Sequence, residues 1–246
     1  MIAELLCVGT VIGAMAGFFG IGGGMMLVPV LMAIGFDIKD AIGISIIQMV
    51  FASVFGSYLN WKRGSLIVGE GIFVGLGGFL GGYTGGTVTH LVSDTLLQFL
   101  FLGILLFALL RLLFSKHHTD DSQTKTLHRG LLFSIGAVIG VFSIALGIGG
   151  SIILTPILVG ILHYPIKKAV SAGLFFVVFS SIAGFVSHFM NGTVDFHNGL
   201  VVAVASLFGV ALGIWAKEYV KDRHHKTALL ILYLGATALL VKKMWF

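Results

Sequence analysis

Charge is the scarcest property of this chain. Only 10% of its 246 residues are charged, against about 25% in an ordinary soluble domain, while 57% are hydrophobic. No soluble core of this length could hide so much apolar side chain, so lipid is the expected solvent for much of it. A single cysteine, Cys7, excludes an internal disulfide. No Gly-x4-Gly-Lys-Ser/Thr phosphate loop is present, which argues against an ATP-driven pump. Paired acids, a Cys/His set and a nucleophile–base pair at membrane depth are also lacking, so no catalytic residue, metal site or cofactor is expected. The formal net charge of +5 would suggest nucleic acid in a soluble protein. Here it fits basic residues gathered on one side of a bilayer, with no nucleic-acid partner.

Glycine, by contrast, is plentiful: 35 of 246 residues, about twice the usual share of roughly 7%. It concentrates in one stretch, Gly20-Ile21-Gly22-Gly23-Gly24-Met25-Met26-Leu27-Val28-Pro29. The stretch returns 127 residues later as Gly147-Ile148-Gly149-Gly150-Ser151-Ile152-Ile153-Leu154-Thr155-Pro156. Six of the ten positions are identical. At a shift of 128, Val50, Phe51, Ser53 and Gly56 meet Val178, Phe179, Ser181 and Gly184, and Gly64, Gly81 and Gly85 meet Gly192, Gly209 and Gly213. The chain therefore reads as two repeats, 1–114 and 129–246, joined by a polar cytoplasmic linker at 115–128.

Hydropathy marks ten apolar segments, near 2–19, 24–35, 41–59, 66–89, 95–114, 130–146, 151–163, 169–187, 198–216 and 227–246. The second and seventh are too short to cross, since a span needs about 20 residues. The expected fold is an all-α integral membrane protein of five segments per repeat, with glycine-broken half-helices or hairpins at 20–34 and 147–162. The opening segment lacks the basic n-region of a signal peptide, and its glycine break recurs within the chain, so it is read as mature structure.

Lysine and arginine set the orientation. With the Lys62-Arg63 loop cytoplasmic, all of the 15 basic residues but Lys39, Lys242 and Lys243 fall inside. The loop after the third segment is then inside and its repeat partner after the eighth outside, so the halves have inverted topology. The protein is expected in the cell (inner) membrane, multi-pass, with both termini extracytoplasmic.

Irregular backbone at membrane depth is tolerated where protein covers it or a wet cavity adjoins it. A helix is expected to restart at Gly24 and at Ser151. Its first N–H groups have no intrahelical partner, and its dipole favours an anion. The expected substrate-binding residues are accordingly Gly22, Gly23, Gly24, Gly149, Gly150 and Ser151, the last as an N-cap hydroxyl. Ser45 and Gln48 on the third segment and Ser171 on the eighth join them as polar groups facing the interior. Pro29 and Pro156 should each bend a half-helix by removing the bond to the carbonyl of Met25 or Ile152. Glu70 and His188 are the candidate proton relay, with His188 near the wet outer end of its helix. No basic residue is expected at mid-membrane. Gly77, Gly81 and Gly85, Gly78, Gly82 and Gly86, and Ala205, Gly209 and Gly213 form small-residue rows suited to packing within the protomer or in a homodimer.

At the two glycine stretches, with Pro29, Pro156, Ala41 to Ser45 and Ala169 to Gly173, the chain resembles the TauE/SafE family of sulfite exporters, and the likeness extends over essentially its whole length. The resemblance implies a membrane transporter of sulfite or of another sulfur-containing or organic anion. It also implies that Gly22 to Gly24, Gly149 to Ser151, Ser45 and Gln48 line the pathway. Phe176 stands opposite Gln48, so the polar contact there is one-sided. The expected activity is export of a small anion, most simply sulfite, by alternating access. The rivals are transport of sulfonate or thiosulfate and a passive anion channel.

Overall fold

The computed structural model describes residues 2–66, 69–114, 128–160, 162, 164, 166–192, 195–220 and 222–245. Most of the linker thus lies outside the described residues, as do the side chains of Glu70, Asp222 and Arg223. Ten helices are described: α1 (Ile2–Phe19), α2 (Gly24–Ala33), α3 (Ile38–Lys62), α4 (Gly69–Leu91), α5 (Asp94–Leu113), α6 (Arg129–Ala145), α7 (Ser151–Gly160), α8 (Ile166–Met190), α9 (Phe196–Tyr219) and α10 (Asp222–Trp245). No strand occurs among the described residues, and six helices, α1, α3, α5, α8, α9 and α10, are long and apolar enough to cross a bilayer. The chain is an all-helical, multi-pass membrane protein. Its exposed faces are apolar where lipid would lie, with Phe99, Leu106 and Phe107 on α5 and Val204, Phe208 and Leu212 on α9.

The ten-residue α2 and α7 rise only about 15 Å each, half the hydrocarbon thickness. Helix ends follow local chemistry. Ser93 caps α5 by accepting from the Leu96 amide at 3.4 Å, and Asp195 caps α9 by accepting from the Asn198 amide at 3.1 Å. Gly64 ends α3 with φ 69°, a left-handed turn in which the Ser65 amide donates back to the Asn60 carbonyl at 3.0 Å.

Packing follows the small residues. Gly9, Gly13 and Gly17 of α1 lie against the backbone of Val202, Ser206 and Val210 on α9, while Gly209 and Gly213 return the contact at Thr10 and Ala14. Gly77, Gly81 and Gly85 of α4 do the same against Phe133, Ala137 and Val141 of α6. These helices approach backbone to backbone, so a methyl group at these positions would collide. The second α4 row, Gly78, Gly82 and Gly86, receives Phe176, Ser180 and Ser187 of α8. All three rows therefore pack within the protomer.

The residue order in these contacts makes α1 parallel to α9 and α4 parallel to α6. Gly56 of α3 lies under Leu174 of α8, while Ser65, just beyond α3, meets Ser171, so α3 and α8 run antiparallel. Exchanging α1–α5 for α6–α10 leaves the main pairings unchanged: α1 with α9 becomes α6 with α4, α3 with α9 becomes α8 with α4, and α2 with α10 becomes α7 with α5.

Several helices begin or end a few residues away from the hydropathy reading, and two of these shifts bear on the site. Helix α8 begins early enough to take in Lys167 and Lys168, and α9 runs on to Tyr219, which draws Lys217 into the helix bundle. Helix propagation adds a bond per residue, so a helix already packed continues past the last apolar side chain.

Candidate functional site

The two glycine breaks meet at the centre of the bundle. Gly20, Gly22 and Gly23 have φ of 67°, 74° and 91°, and Gly147 and Gly149 have 63° and 66°. Such values are open to glycine and strained for other residues, which is why the runs are glycine. Gly24 lies on the carbonyl of Gly147, leaving no space for a side chain. Ser45 Oγ donates to that same carbonyl at 2.8 Å, tying α3 to the second break. Gly149 in turn sits beside the Ile21 carbonyl and Met49.

At the first break, Gly20 N–H still donates to the Ala16 carbonyl at 2.7 Å, the last bond of the α1 pattern. The next five amides, Ile21 to Met25, have no acceptor among the described residues. Gly23 is the N-cap of α2, its carbonyl accepting from Met26 and Leu27 at 3.2 and 3.0 Å, so the amides of Gly24 and Met25 are the unpaired donors of that helix start. Gln48 lies against Gly23: a Cβ added there would stand 2.6 Å from Oε1 and 2.9 Å from Nε2. Gln48 is fully buried, and both polar atoms of its amide lack a partner. Leaving such a group unsatisfied costs about 1–3 kcal/mol, so a ligand that pairs it would recover that loss.

At the second break three of the five equivalent amides are paired, leaving those of Gly149 and Ile152 without an acceptor among the described residues. Ser143 Oγ accepts from the Gly150 amide, the Ile148 amide donates to the Ser143 carbonyl at 3.0 Å, and the Ser151 amide donates to the Gly149 carbonyl. The Ser151 hydroxyl, expected to cap α7, donates instead to the Gly149 carbonyl at 2.8 Å; the capping carbonyl is that of Gly150, accepting from Leu154 at 2.9 Å. The Phe176 ring packs directly on Gly150. Pro156 lies in α7 and cannot bond to the Ile152 carbonyl; the buried Tyr233 hydroxyl of α10 donates to that carbonyl at 3.4 Å.

Of the residues singled out in the sequence, Gly22, Gly23, Gly24, Gly149, Gly150, Ser151, Ser45 and Gln48 come together here. Ser171 does not. It lies near the C-terminal end of α3, where its hydroxyl accepts from Lys217 Nζ at 3.1 Å and donates to the Lys167 carbonyl at 3.0 Å. Lys217 Nζ also donates to Asn60 Oδ1 at 2.8 Å, and the lysine is only 3% exposed. Charge counting places Lys217 among the basic residues of the cytoplasmic side; the structure encloses it near the C-terminal end of α9. Lys217 continues the Gly209–Gly213 row by one turn, the signal that it faces the bundle.

His188 is likewise not a wet surface histidine. It is 1% exposed, and its ring centroid is 5.3 Å from that of His90 on α4, because Gly86 lets α8 approach α4 there. The Glu70 side chain lies outside the described residues. Ser143 and Tyr233 were missed in the sequence, each standing alone in an apolar run, and so was Lys217, which is followed by Glu218 where the apolar run ends.

Half-helices meeting at glycine breaks inside a multi-pass bundle define a membrane transporter, and comparison with known proteins agrees. The sulfite exporter TauE/SafE family model matches residues 5–240, and the chain belongs to that family. It is 28% identical over 250 residues to a probable membrane transporter protein of Methanocaldococcus jannaschii, covering 92% of this chain and 90% of that one. Two probable membrane transporter proteins of Bacillus subtilis, YdhB and YunE, are 25% and 26% identical over 82% and 85% of this chain and 84% and 86% of their own lengths. No solved structure matches the chain.

Proposed function

We propose that this transporter carries a small anion, sulfite foremost, outward across the cytoplasmic membrane, holding it at the first glycine break. One observation carries the reading. Five consecutive backbone amides, Ile21 to Met25, stand unpaired beside Gln48, a buried amide with no partner of its own. Donors of this kind, at the positive end of a helix and away from bulk water, suit an oxyanion without a lysine or arginine in contact. Gln48 Nε2 adds two donors. Gln48 and Gly23 are now in contact, so the anion would enter as the Gln48 side chain swings from the break.

The site is buried from both sides, which suits an occluded state between two accessible ones. The exchange symmetry of the helix pairs and the antiparallel course of α3 and α8 support inverted repeats, and the distribution of basic residues puts the Lys62-Arg63 loop inside and both termini outside. Rocking one half on the other would then expose the break to each side in turn. Outward movement of one negative charge gains about 2.3 kcal/mol per 100 mV of inside-negative potential, enough to drive export without ATP.

Sulfite efflux from proteoliposomes tests this, with Gln48→Leu, Gly23→Leu and Gly150→Leu beside the wild type. The expected result is saturable efflux that Gln48→Leu abolishes while the variant stays folded. Wild-type efflux from folded Gln48→Leu removes the site. Flux that never saturates, with single-channel currents, makes the protein a channel instead. Preferred movement of thiosulfate or a sulfonate would reassign the substrate.

A further inference from the structure

A second polar cluster stands apart from the breaks. Asn60 is 12 residues beyond Gln48 on α3, about 18 Å along the helix axis. Between them Gly56 is covered by Leu174, Val210 and Ile214, an apolar plug. Beyond the plug, α3, α8 and α9 converge on the Lys217 ammonium, which donates to Asn60 Oδ1 at 2.8 Å and Ser171 Oγ at 3.1 Å. Ser65 Oγ, half-buried in the turn after α3, donates to Asn60 Oδ1 at 3.2 Å and covers the cluster.

The hydrogen-bond ledger here is unbalanced. An ammonium has three donors and finds two acceptors. Because a lysine can only donate, the Asn60 atom facing it must be the oxygen, and this turns Nδ2 away. Asn60 is 1% exposed and its Nδ2 has no partner, so two more donors are idle. No carboxylate among the described residues pairs with Lys217; its neighbour Glu218 binds Arg63 at 2.8 Å. A buried charge without a counter-charge is costly, and only an anion supplies both the missing charge and the missing acceptors. Arg63 and Lys167 lie around the same end of the bundle, where their field would concentrate anions.

We infer that Lys217, Asn60 and Ser171 form a second binding site for a small oxyanion, separated from the glycine break by the Leu174 plug. It receives the anion on the basic face and passes it inward when the plug opens. The inference rests on the anion-transport reading above and names a loading site for it.

The deciding variant is Asn60→Asp, which keeps the lysine and presents it with a built-in carboxylate. The full-length protein is purified, its melting point measured with and without sulfite, and sulfite flux followed in proteoliposomes. Asn60→Asp should melt at or above the wild-type temperature and lose at least tenfold in flux at low sulfite. Lys217→Met and Ser171→Ala should raise the sulfite concentration needed for half-maximal flux. If Asn60→Asp and Lys217→Met fold and carry sulfite as the wild type does, the site is overturned. The same holds if all three variants fail to fold while Gln48→Leu folds, since the cluster is then a structural tie. Loss of flux in Gln48→Leu with wild-type flux in Asn60→Asp removes the loading site alone. A wild type that moves no anion removes both readings.

Discussion

The two glycine breaks share six residues in ten, yet their surroundings differ, and two of the differences bear on the amides. Where the second break has Ser143, the first has Ala16, 127 residues earlier. Where the second has Phe176, the first has Gln48. The serine hydroxyl takes the Gly150 amide and the phenyl ring covers it, and with the Ile148 and Ser151 amides also bonded, three of the five amides equivalent to Ile21 to Met25 are paired. The first lacks that hydroxyl, and its five amides remain unpaired beside the polar Gln48 side chain that covers it. A duplicated backbone can thus supply one largely paired anchor and one open site, with the Ser143 hydroxyl accounting for the Gly150 amide and backbone carbonyls for the other two.

The contrast can be broken at Gly24. Its repeat partner Ser151 carries a side chain, but Gly24 lies on the Gly147 carbonyl and within reach of Ser45. Gly24→Leu should therefore yield no folded, monodisperse protein by size exclusion, the largest effect of the series. Next comes the pair that covers the two breaks. Phe176→Ala should cost about 3–5 kcal/mol as a large cavity opens in the core, and it should lower the melting point while leaving the half-saturating sulfite concentration near wild type. Gln48→Leu should do the reverse, abolishing flux at an unchanged or higher melting point, because it removes a buried amide with no partner.

A finer test exchanges the caps. Ser143→Ala leaves the Gly150 amide buried without an acceptor and should destabilise by about 1–3 kcal/mol, measured by thermal unfolding in detergent. Ala16→Ser offers the first break the hydroxyl it lacks; weaker sulfite binding with little change in stability is expected, and stronger binding would count against a site built on free amides. The smallest effect belongs to Tyr233→Phe. It leaves the Ile152 carbonyl opposite Pro156 without its donor and should lower stability by about 1 kcal/mol, with flux unchanged.

Much of this architecture is legible in the chain. Boundaries of the ten apolar segments fall within a few residues of the helices, because long apolar runs in lipid have few alternatives to helix. The breaks are visible because positive φ demands glycine and because the pattern occurs twice. Gln48 could be picked out as a lone amide in an apolar helix. Lys217 could not be read as buried from charge counting, which assigns a lysine near a helix end to the water; its register with Gly209 and Gly213 was the better guide. Ser171 was expected beside the breaks, but its hydroxyl faces Lys217 instead.

Composition and periodicity alone determined that this is a helical membrane protein with paired interruptions, since hydrophobicity, glycine and proline act locally on the backbone. Tertiary structure decided which interruption keeps its amides free, where Ser171 points and that a lysine is enclosed. Those outcomes depend on which side chain another helix delivers across several ångströms of space, and spacing along one helix does not encode that.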